Sequence, residues 1–249
     1  MEITSTNNEL VKETAKLQQK KYRDSEGLFL LEGFKAIEEA HLSGIKIIRY
    51  FVEKPKRGKY LFLKGECIET NSAVLGKIST TTTPPEIVAV AQKPQNDNKT
   101  IGNKVVLFEN IKDLGNLGTI IRTAVAFDVD SIILYGNTVD LYNPKVVRAT
   151  VGNLWKINIV EISNFEELSK MLSDYQRIGT LPKSDNSEYL SDFRLKGSKN
   201  VIMFGEESTG LSQDLKEFAT QNVTIEMNKN VESLNLSISA GILMYKIFK

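Results

Sequence analysis

The sequence of 249 residues contains a single cysteine, Cys67, and a single histidine, His41. One cysteine cannot form an intrachain disulfide. The two residues together are too few for a usual structural zinc site, which needs about four ligands. Because the second half of the chain has neither residue type, a Ser-His-Asp or Cys-His catalytic arrangement is excluded there. No metal site is predicted, and a proton acceptor in that half must be a carboxylate, a tyrosine, a lysine, an unusual arginine or water.

Long apolar runs and a strong net charge are also missing. No run approaches the ~18–20 residues of a membrane span, and the first residues lack the basic and apolar regions of a secretory signal. We therefore expect a cytoplasmic protein with no membrane partner. The formal net charge is +1, which does not by itself indicate a nucleic-acid binder.

The positive charge is concentrated in the first part of the chain. Residues 1–103 carry 16 Lys and Arg against 13 Asp and Glu, whereas residues 104–249 carry 16 against 18. Two basic clusters stand out. They are Lys16, Lys20, Lys21 and Arg23, and then Lys54, Lys56, Arg57 and Lys59. Either cluster alone fits a solvated surface or a phosphate-binding surface equally well.

A polar stretch at 93–99 after a Thr-Pro-rich turn indicates a linker. We predict a first domain at 1–95, a linker at 96–103 and a second domain at 104–249. In the first domain, apolar spacing predicts alternating elements and hence a small α/β domain. The expected helices are 8–19, 34–42 and 69–76, and the expected strands are 28–32, 45–52 and 87–91.

The second domain alternates more strictly between strands and helices. Its strands are short continuous apolar runs, which are typical of parallel strands buried on both faces. We predict a parallel sheet with helices on both faces. The expected strands are 105–108, 131–135, 156–160, 177–181, 201–205 and 223–227, and the expected helices are 116–127, 144–150, 165–175, 211–219 and 235–248.

Three polar loops follow strands of this sheet, at 109–118, 205–212 and 227–237. Ligands of open α/β sheets bind beyond the carboxyl ends of the strands, although each loop alone also fits an ordinary helix start. The loops contain no dinucleotide fingerprint, which argues against a nucleotide-dependent oxidoreductase, and no lysine follows Gly210 as a P-loop requires. Arg122 lies in the apolar helix after the first loop, where we expect its charge to need a partner.

The residues of these loops resemble an ordered set of motifs. They are Asp113, Asn116, Leu117, Gly118, Ile121, Arg122, Thr123 and Ala124; Gly205, Glu207, Gly210 and Leu211; and Val231, Glu232, Ser233, Leu234, Asn235 and Ser237. This set resembles the SpoU/TrmH family of RNA 2′-O-ribose methyltransferases, within the SPOUT class. The segment 142–149 is also similar to the family. The sequence departs from the family at Leu114, where proline is common, and at Ser208, where glycine is common; both positions affect only the local loop shape.

The resemblance implies a C-terminal trefoil knot and a homodimer with the active site at the subunit interface. It also implies that the first domain is a small ribosomal-protein-like RNA-binding domain, of which 22–24 and 31–33 are typical. The implied activity is methyl transfer from S-adenosylmethionine to a ribose 2′-hydroxyl of RNA, with ribosomal RNA of the 23S type favoured as partner. Transfer RNA is the competing substrate. A non-catalytic RNA-binding or assembly factor with a degenerate methyltransferase domain is the other alternative.

The family also implies roles for individual residues. The expected catalytic set is Arg122, Asn116, Glu207, Ser233 and Asn235. The expected cofactor-binding set is Gly205, Glu206, Gly210, Ile225, Met227, Ser233 and Leu234. The expected RNA-binding set is Lys16, Lys20, Lys21, Arg23, Lys145 and Arg148. Since a guanidinium stays protonated in proteins, we expect Arg122 to orient or activate the 2′-hydroxyl electrostatically rather than as a literal base.

Overall fold

The computed structural model describes residues 1–94, 100–184 and 186–249. The first half of the linker predicted at 96–103, residues 96–99, therefore lies outside the described residues. The chain forms two compact units. Unit 1 is the described chain up to residue 94 together with Asp140–Trp155, and unit 2 is the described chain from residue 100 to Val139 together with Lys156–Lys249. The placement of Asp140–Trp155 in unit 1 differs from the continuous second domain expected from the sequence.

Unit 1 contains a four-stranded mixed sheet in the order β1-β4-β2-β3. The strands are β1 (Leu28–Glu32), β2 (Ile47–Glu53), β3 (Glu66–Thr70) and β4 (Ile87–Gln92). The helices are α1 (Glu9–Lys16), α2 (Lys20–Glu26), α3 (Phe34–Leu42), α4 (Ser72–Ile78) and, from the later segment, α6 (Pro144–Ala149). Only the β2–β3 pair is parallel.

The helix predicted at 69–76 is wrong in its first residues. Glu69 belongs to β3, and the helix begins only after Asn71, whose side chain accepts a hydrogen bond from the backbone N–H of Val74. Asparagine stabilises a helix start through such a cap but breaks helical geometry at its own position. The cap therefore fixes the boundary between strand and helix.

The segment Asp140–Trp155 packs on β1 of unit 1. The ring of Phe29 lies 5.0 Å from that of Tyr142 and 5.6 Å from that of Trp155. Arg23 donates from Nε to Asp140 Oδ2 at 2.7 Å and from a terminal nitrogen to the carbonyl of Leu17 at 2.8 Å. Its side chain is 1% exposed, so this ion pair is an interior contact of unit 1.

Unit 2 contains a seven-stranded sheet in the order β7-β6-β5-β10-β8-β11-β9, in which every neighbouring pair is parallel. The strands are β5 (Lys104–Glu109), β6 (Ser131–Tyr135), β7 (Asn158–Ile162), β8 (Gln176–Thr180), β9 (Glu188–Tyr189), β10 (Asn200–Phe204) and β11 (Gln221–Thr224). The helices are α5 (Leu114–Ala126), α7 (Phe165–Met171), α8 (Gln213–Phe218) and α9 (Leu236–Phe248).

The central strands of unit 2 are buried on both faces. Val105 and Leu107 share one core cluster with residues of α7 and α8. Alternate residues point to the opposite face, where Phe108 and Phe204 stack at 4.9 Å. The predicted parallel α/β fold is confirmed, and the continuous apolar runs have the expected cause. The trefoil knot stays a prediction.

Within the described part of the chain, no helix is long and apolar enough to cross a membrane.

Candidate active site

The first polar loop ends in a capped helix. Asp113 precedes α5, and its carboxylate accepts a hydrogen bond from the backbone N–H of Asn116 at 2.7 Å. This cap holds Asn116 on the first turn of α5, just beyond the end of β5. The buried carboxylate of Glu109, at the end of β5, accepts a hydrogen bond from the backbone N–H of Ser212 at 2.8 Å. Sequence reasoning missed Glu109, although a charged residue closing an apolar strand is the signal that could have found it.

The second loop folds back on itself immediately after β10. Glu206 and Gly210 exchange two backbone hydrogen bonds, at 2.8 and 3.2 Å. Gly210 has φ of +70°, in the left-handed region that glycine tolerates best. A Cβ built on Gly205 would lie 2.0 Å from the carbonyl carbon of Gly210. Both glycines are therefore required by the backbone of this turn.

The third loop leads into α9 through Asn235. The side-chain oxygen of Asn235 accepts hydrogen bonds from the backbone N–H of Ser237 at 2.9 Å and from its hydroxyl at 2.6 Å. The bond from the backbone N–H of Ser237 is an N-terminal cap of α9. It leaves the side-chain amide nitrogen of Asn235 available for a second contact.

A hydrogen-bonded chain joins the three loops. Asn235 Nδ2 donates to Asn116 Oδ1 at 3.0 Å, and Asn116 Nδ2 donates to Glu207 Oε1 at 3.1 Å. The two contacts connect residues that are 119 and 91 positions apart in the sequence. The structure thus brings three of the five expected catalytic side chains into one network.

Beside this network lies a cavity of about 180 Å³. All seven expected cofactor-binding residues line it. The other described lining residues are Thr180, Leu181, Pro182, Phe204, Glu207, Val223, Thr224, Glu232, Leu236, Ser239 and Leu243. Sequence reasoning missed the contribution of 180–182, because the residues after β8 carry no recognisable motif.

The charges around this cavity have one sign. Three carboxylates, those of Glu206, Glu207 and Glu232, belong to its lining, and no Lys or Arg is among the described lining residues. Apolar side chains such as Leu234 and Leu243 supply the remaining wall. The cavity therefore suits a ligand with an apolar body and positive charge.

Arg122 occupies a different position from the one expected. It is exposed on α5 rather than directed into the apolar core, so it needs no buried partner. It does not line the cavity among the described residues, and Glu207 accepts from Asn116. The neighbouring Thr123 faces α9, since a Cβ built on Gly241 would lie 3.6 Å from its methyl group.

The expected RNA-binding residues fall into two groups: exposed side chains, and buried or half-buried side chains that form ion pairs within unit 1. The prediction that Arg23 contacts RNA is wrong, because its guanidinium is buried against Asp140. Arg148 forms an ion pair with Glu32 and donates to the hydroxyl of Thr80 at 2.6 Å. The remaining expected residues, Lys16, Lys20, Lys21 and Lys145, are exposed.

Two family models match the chain. Residues 103–245 match the SpoU rRNA Methylase family, and residues 8–89 match the MRM3-like substrate binding domain.

Individual relatives match along almost the whole chain. A Synechocystis protein named as an uncharacterized tRNA/rRNA methyltransferase is 30% identical over 98% of this chain and 92% of its own. The Bacillus subtilis 23S rRNA (guanosine(2553)-2′-O)-methyltransferase is 28% identical over 99% of this chain and 98% of its own. The crystal structure of an AdoMet-bound rRNA methyltransferase from Sinorhizobium meliloti is similar with a TM-score of 0.87 and 30% identity, over 99% of this chain and 96% of that one. Because the family model spans more than half of the sequence, the chain belongs to the SpoU rRNA methylase family.

Proposed function

We propose that this protein transfers a methyl group from S-adenosylmethionine to a ribose 2′-hydroxyl of ribosomal RNA. The observation that carries the proposal is that one cavity is lined by all seven expected cofactor-binding residues and lies beside the Asn116–Glu207–Asn235 network. The acidic lining favours a cationic, partly apolar ligand over a phosphate-bearing one.

The cavity fits this cofactor in chemistry as well as in position. S-adenosylmethionine, when bound, supplies an electrophilic methyl group on a positively charged sulfonium. The carboxylates of Glu206, Glu207 and Glu232 complement cationic groups, and the glycine turn lets backbone groups approach a ligand closely. The apolar wall around Leu234 suits the adenine ring.

The polar network and Arg122 would act on the ribose. Asn116 is fixed by a hydrogen bond on each side, so its position is set before a substrate arrives, which favours catalysis by orientation. The Arg122 guanidinium would stabilise negative charge that develops on the 2′-oxygen. Ser233 lies in the cavity lining and is exposed, so its hydroxyl is available to the substrate or to the cofactor.

We further propose that the active protein is a homodimer. The outer face of α9 exposes Ile238, Ile242 and Tyr245, which recur at helical spacing and form one apolar stripe. The ring of Tyr245 lies 5.5 Å from that of Phe127, at the end of α5. The stripe therefore continues onto the helix that carries Arg122, and pairing of this face would bury it while bringing Arg122 close to a partner subunit.

Ribosomal RNA is favoured over transfer RNA as the substrate. The Bacillus subtilis relative, matched over 98% of its length, is named for 23S rRNA, and unit 1 matches a substrate-binding domain model. A cytoplasmic location is consistent with that substrate. The non-catalytic alternative is disfavoured because Asn116, Glu207 and Asn235 are all present and connected.

The direct test uses the purified full chain. Calorimetry with S-adenosylmethionine measures binding, and tritium transfer from labelled cofactor to 23S ribosomal RNA or to bulk transfer RNA measures activity. Resistance of the labelled position to alkaline cleavage identifies 2′-O-methylation. We expect binding and transfer to ribosomal RNA. Binding without transfer to either RNA would support the non-catalytic alternative, and transfer only to transfer RNA would replace the substrate.

Mixed protomers test whether the site is shared. We expect Arg122→Ala and Glu207→Ala each to be inactive alone. If Arg122 acts on the partner's cavity, an equal mixture after subunit exchange should recover about one quarter of wild-type transfer, because half of the dimers then hold one intact site. If both residues act within one protomer, or if the protein is a monomer, the mixture stays inactive.

A further inference from the structure

Unit 1 exposes a group of aromatic rings that the site described above does not use. Phe34, at the start of α3, and Phe62, which follows the 3-10 helix Lys54–Tyr60, are each 42% exposed. Their ring centroids lie 6.4 Å apart, and the ring of His41 lies 5.5 Å from that of Phe62. We call Phe34, His41 and Phe62 the aromatic platform. Grouped, exposed aromatic side chains are unusual on a surface without a binding role.

A buried tyrosine packs against the aromatic platform. The buried ring of Tyr60 lies 5.9 Å from that of Phe34. The Tyr60 hydroxyl donates to the Glu86 carboxylate at 2.6 Å, and the same carboxylate accepts from Lys59 at 3.1 Å. The buried, hydrogen-bonded ring of Tyr60 therefore supports the exposed ring of Phe34.

The segment that carries Phe62 is basic. Residues 54–64 contain five Lys and Arg and no carboxylate. Four of these cations form ion pairs with Glu2, Glu69 or Glu86 from elsewhere in unit 1. Exposed pairs of this kind are weak, so a polyanion can compete for the cations. The fifth cation, Lys64, is exposed.

We infer that the platform binds unpaired nucleotides of the RNA substrate, with bases stacked on Phe62 and Phe34 and phosphates near Lys59 and Lys64. Stacking of splayed bases on exposed rings within a basic surface is how proteins bind single-stranded RNA. RNA is favoured over a protein partner, because lysine is depleted at protein interfaces and residues 54–64 contain four lysines. The inference rests on the proposed function only in taking RNA as the substrate.

The test measures RNA affinity of the full chain by fluorescence anisotropy, without cofactor, on labelled 12-nucleotide oligouridine and on an RNA hairpin duplex. Phe62→Ala should weaken oligouridine binding by about 5- to 100-fold, the effect of losing one stacked base. Phe62→Trp should retain affinity, whereas Phe62→Leu, which is apolar but not aromatic, should lose it. Leu42→Ala is the matched control, since Leu42 is 73% exposed in the same unit and carries no ring.

The salt dependence separates stacking from charge. Lys59→Ala and Lys64→Ala should each lower the slope of log affinity against log salt by about 0.7, the value for one single-strand phosphate contact. Phe62→Ala should leave the slope unchanged. Affinity within twofold of wild type for Phe62→Ala, full affinity for Phe62→Leu, or an equal loss for the duplex would each overturn the inference.

The outcome is distinguishable from failure of the proposed function. Methyl transfer by the wild-type chain, with oligouridine binding unaffected by Phe62→Ala, would reject the platform alone. Absence of cofactor binding, with a stacking-dependent affinity for oligouridine, would reject the methyltransferase activity and leave the platform in place.

Discussion

Arg23 of unit 1 and Arg122 of unit 2 lie in opposite environments. In unit 1, Arg23 is buried in an ion pair with Asp140, and Arg148 is bound to Glu32. In unit 2, Arg122 is exposed on α5. A buried guanidinium with fixed partners stabilises a fold, whereas an exposed one remains available to a substrate or a subunit. The role of an arginine here follows from its burial rather than from the basic cluster that contains it.

The largest effect is expected from Arg23→Ala. Removal of the guanidinium leaves the Asp140 carboxylate, whose side chain is 9% exposed, without its partner. Breaking a buried pair in this way costs about 3–5 kcal/mol. Urea unfolding should therefore show that loss, whereas Lys20→Ala, which removes an exposed pair with Asp24, should change stability by less than about 1 kcal/mol. Equal effects of the two variants would remove the distinction between buried and exposed cations in unit 1.

Arg122→Ala should lower activity and leave stability unchanged, in contrast to Arg23→Ala. We expect transfer to fall about 100- to 1000-fold, the loss seen when one electrostatic contact to a developing charge is removed, with cofactor affinity and unfolding unchanged. Arg194→Ala is the control, because Arg194 of unit 2 donates to backbone carbonyls at 2.7 and 3.0 Å and lines no part of the cavity among the described residues. Full transfer by Arg122→Ala in the tritium assay would exclude the proposed mechanism.

The two units also differ in how far sequence predicts them. In unit 2, the apolar runs predict the parallel sheet, and the loop motifs predict which loops meet at Asn116. In unit 1, sequence spacing did not separate the buried Arg23 from the exposed Lys20, because the deciding partner, Asp140, is 117 residues away. The platform shows the same limit. Phe62 lies in an ordinary apolar stretch of the sequence, and only the fold determines that its ring is exposed.

Gly205→Ala tests the shape of the cavity. The added methyl group would meet the backbone of Gly210 and Leu211 at about 2 Å, so the turn must shift. We expect S-adenosylmethionine to bind at least about tenfold more weakly, a change of about 1.4 kcal/mol. Gly197→Ala, where a Cβ meets nothing within 4 Å, should bind the cofactor normally. Normal affinity of both variants in calorimetry would show that the turn does not hold the cofactor.

The smallest effect concerns the exposed ion pairs beneath the platform. The Tyr60 hydroxyl, and next the Lys59 ammonium, lower the pKa of Glu86 from its ordinary value of 4.5. A carboxylate with a lowered pKa in the folded state stabilises the protein above that ordinary value, and the contribution is lost as pH falls through the folded-state pKa. Glu86→Gln should therefore be less stable than wild type at pH 7, by less than about 1 kcal/mol in the free energy of unfolding. The difference should shrink as pH falls below 4.5 and through the lowered folded-state pKa. Tyr60→Phe removes only the hydroxyl donor. In that background, Glu86→Gln should cause a smaller loss of stability at pH 7 than it causes in the wild-type protein. A stability difference between wild type and Glu86→Gln that is constant from pH 7 to pH 3 would show that Glu86 acts through packing and not through its charge.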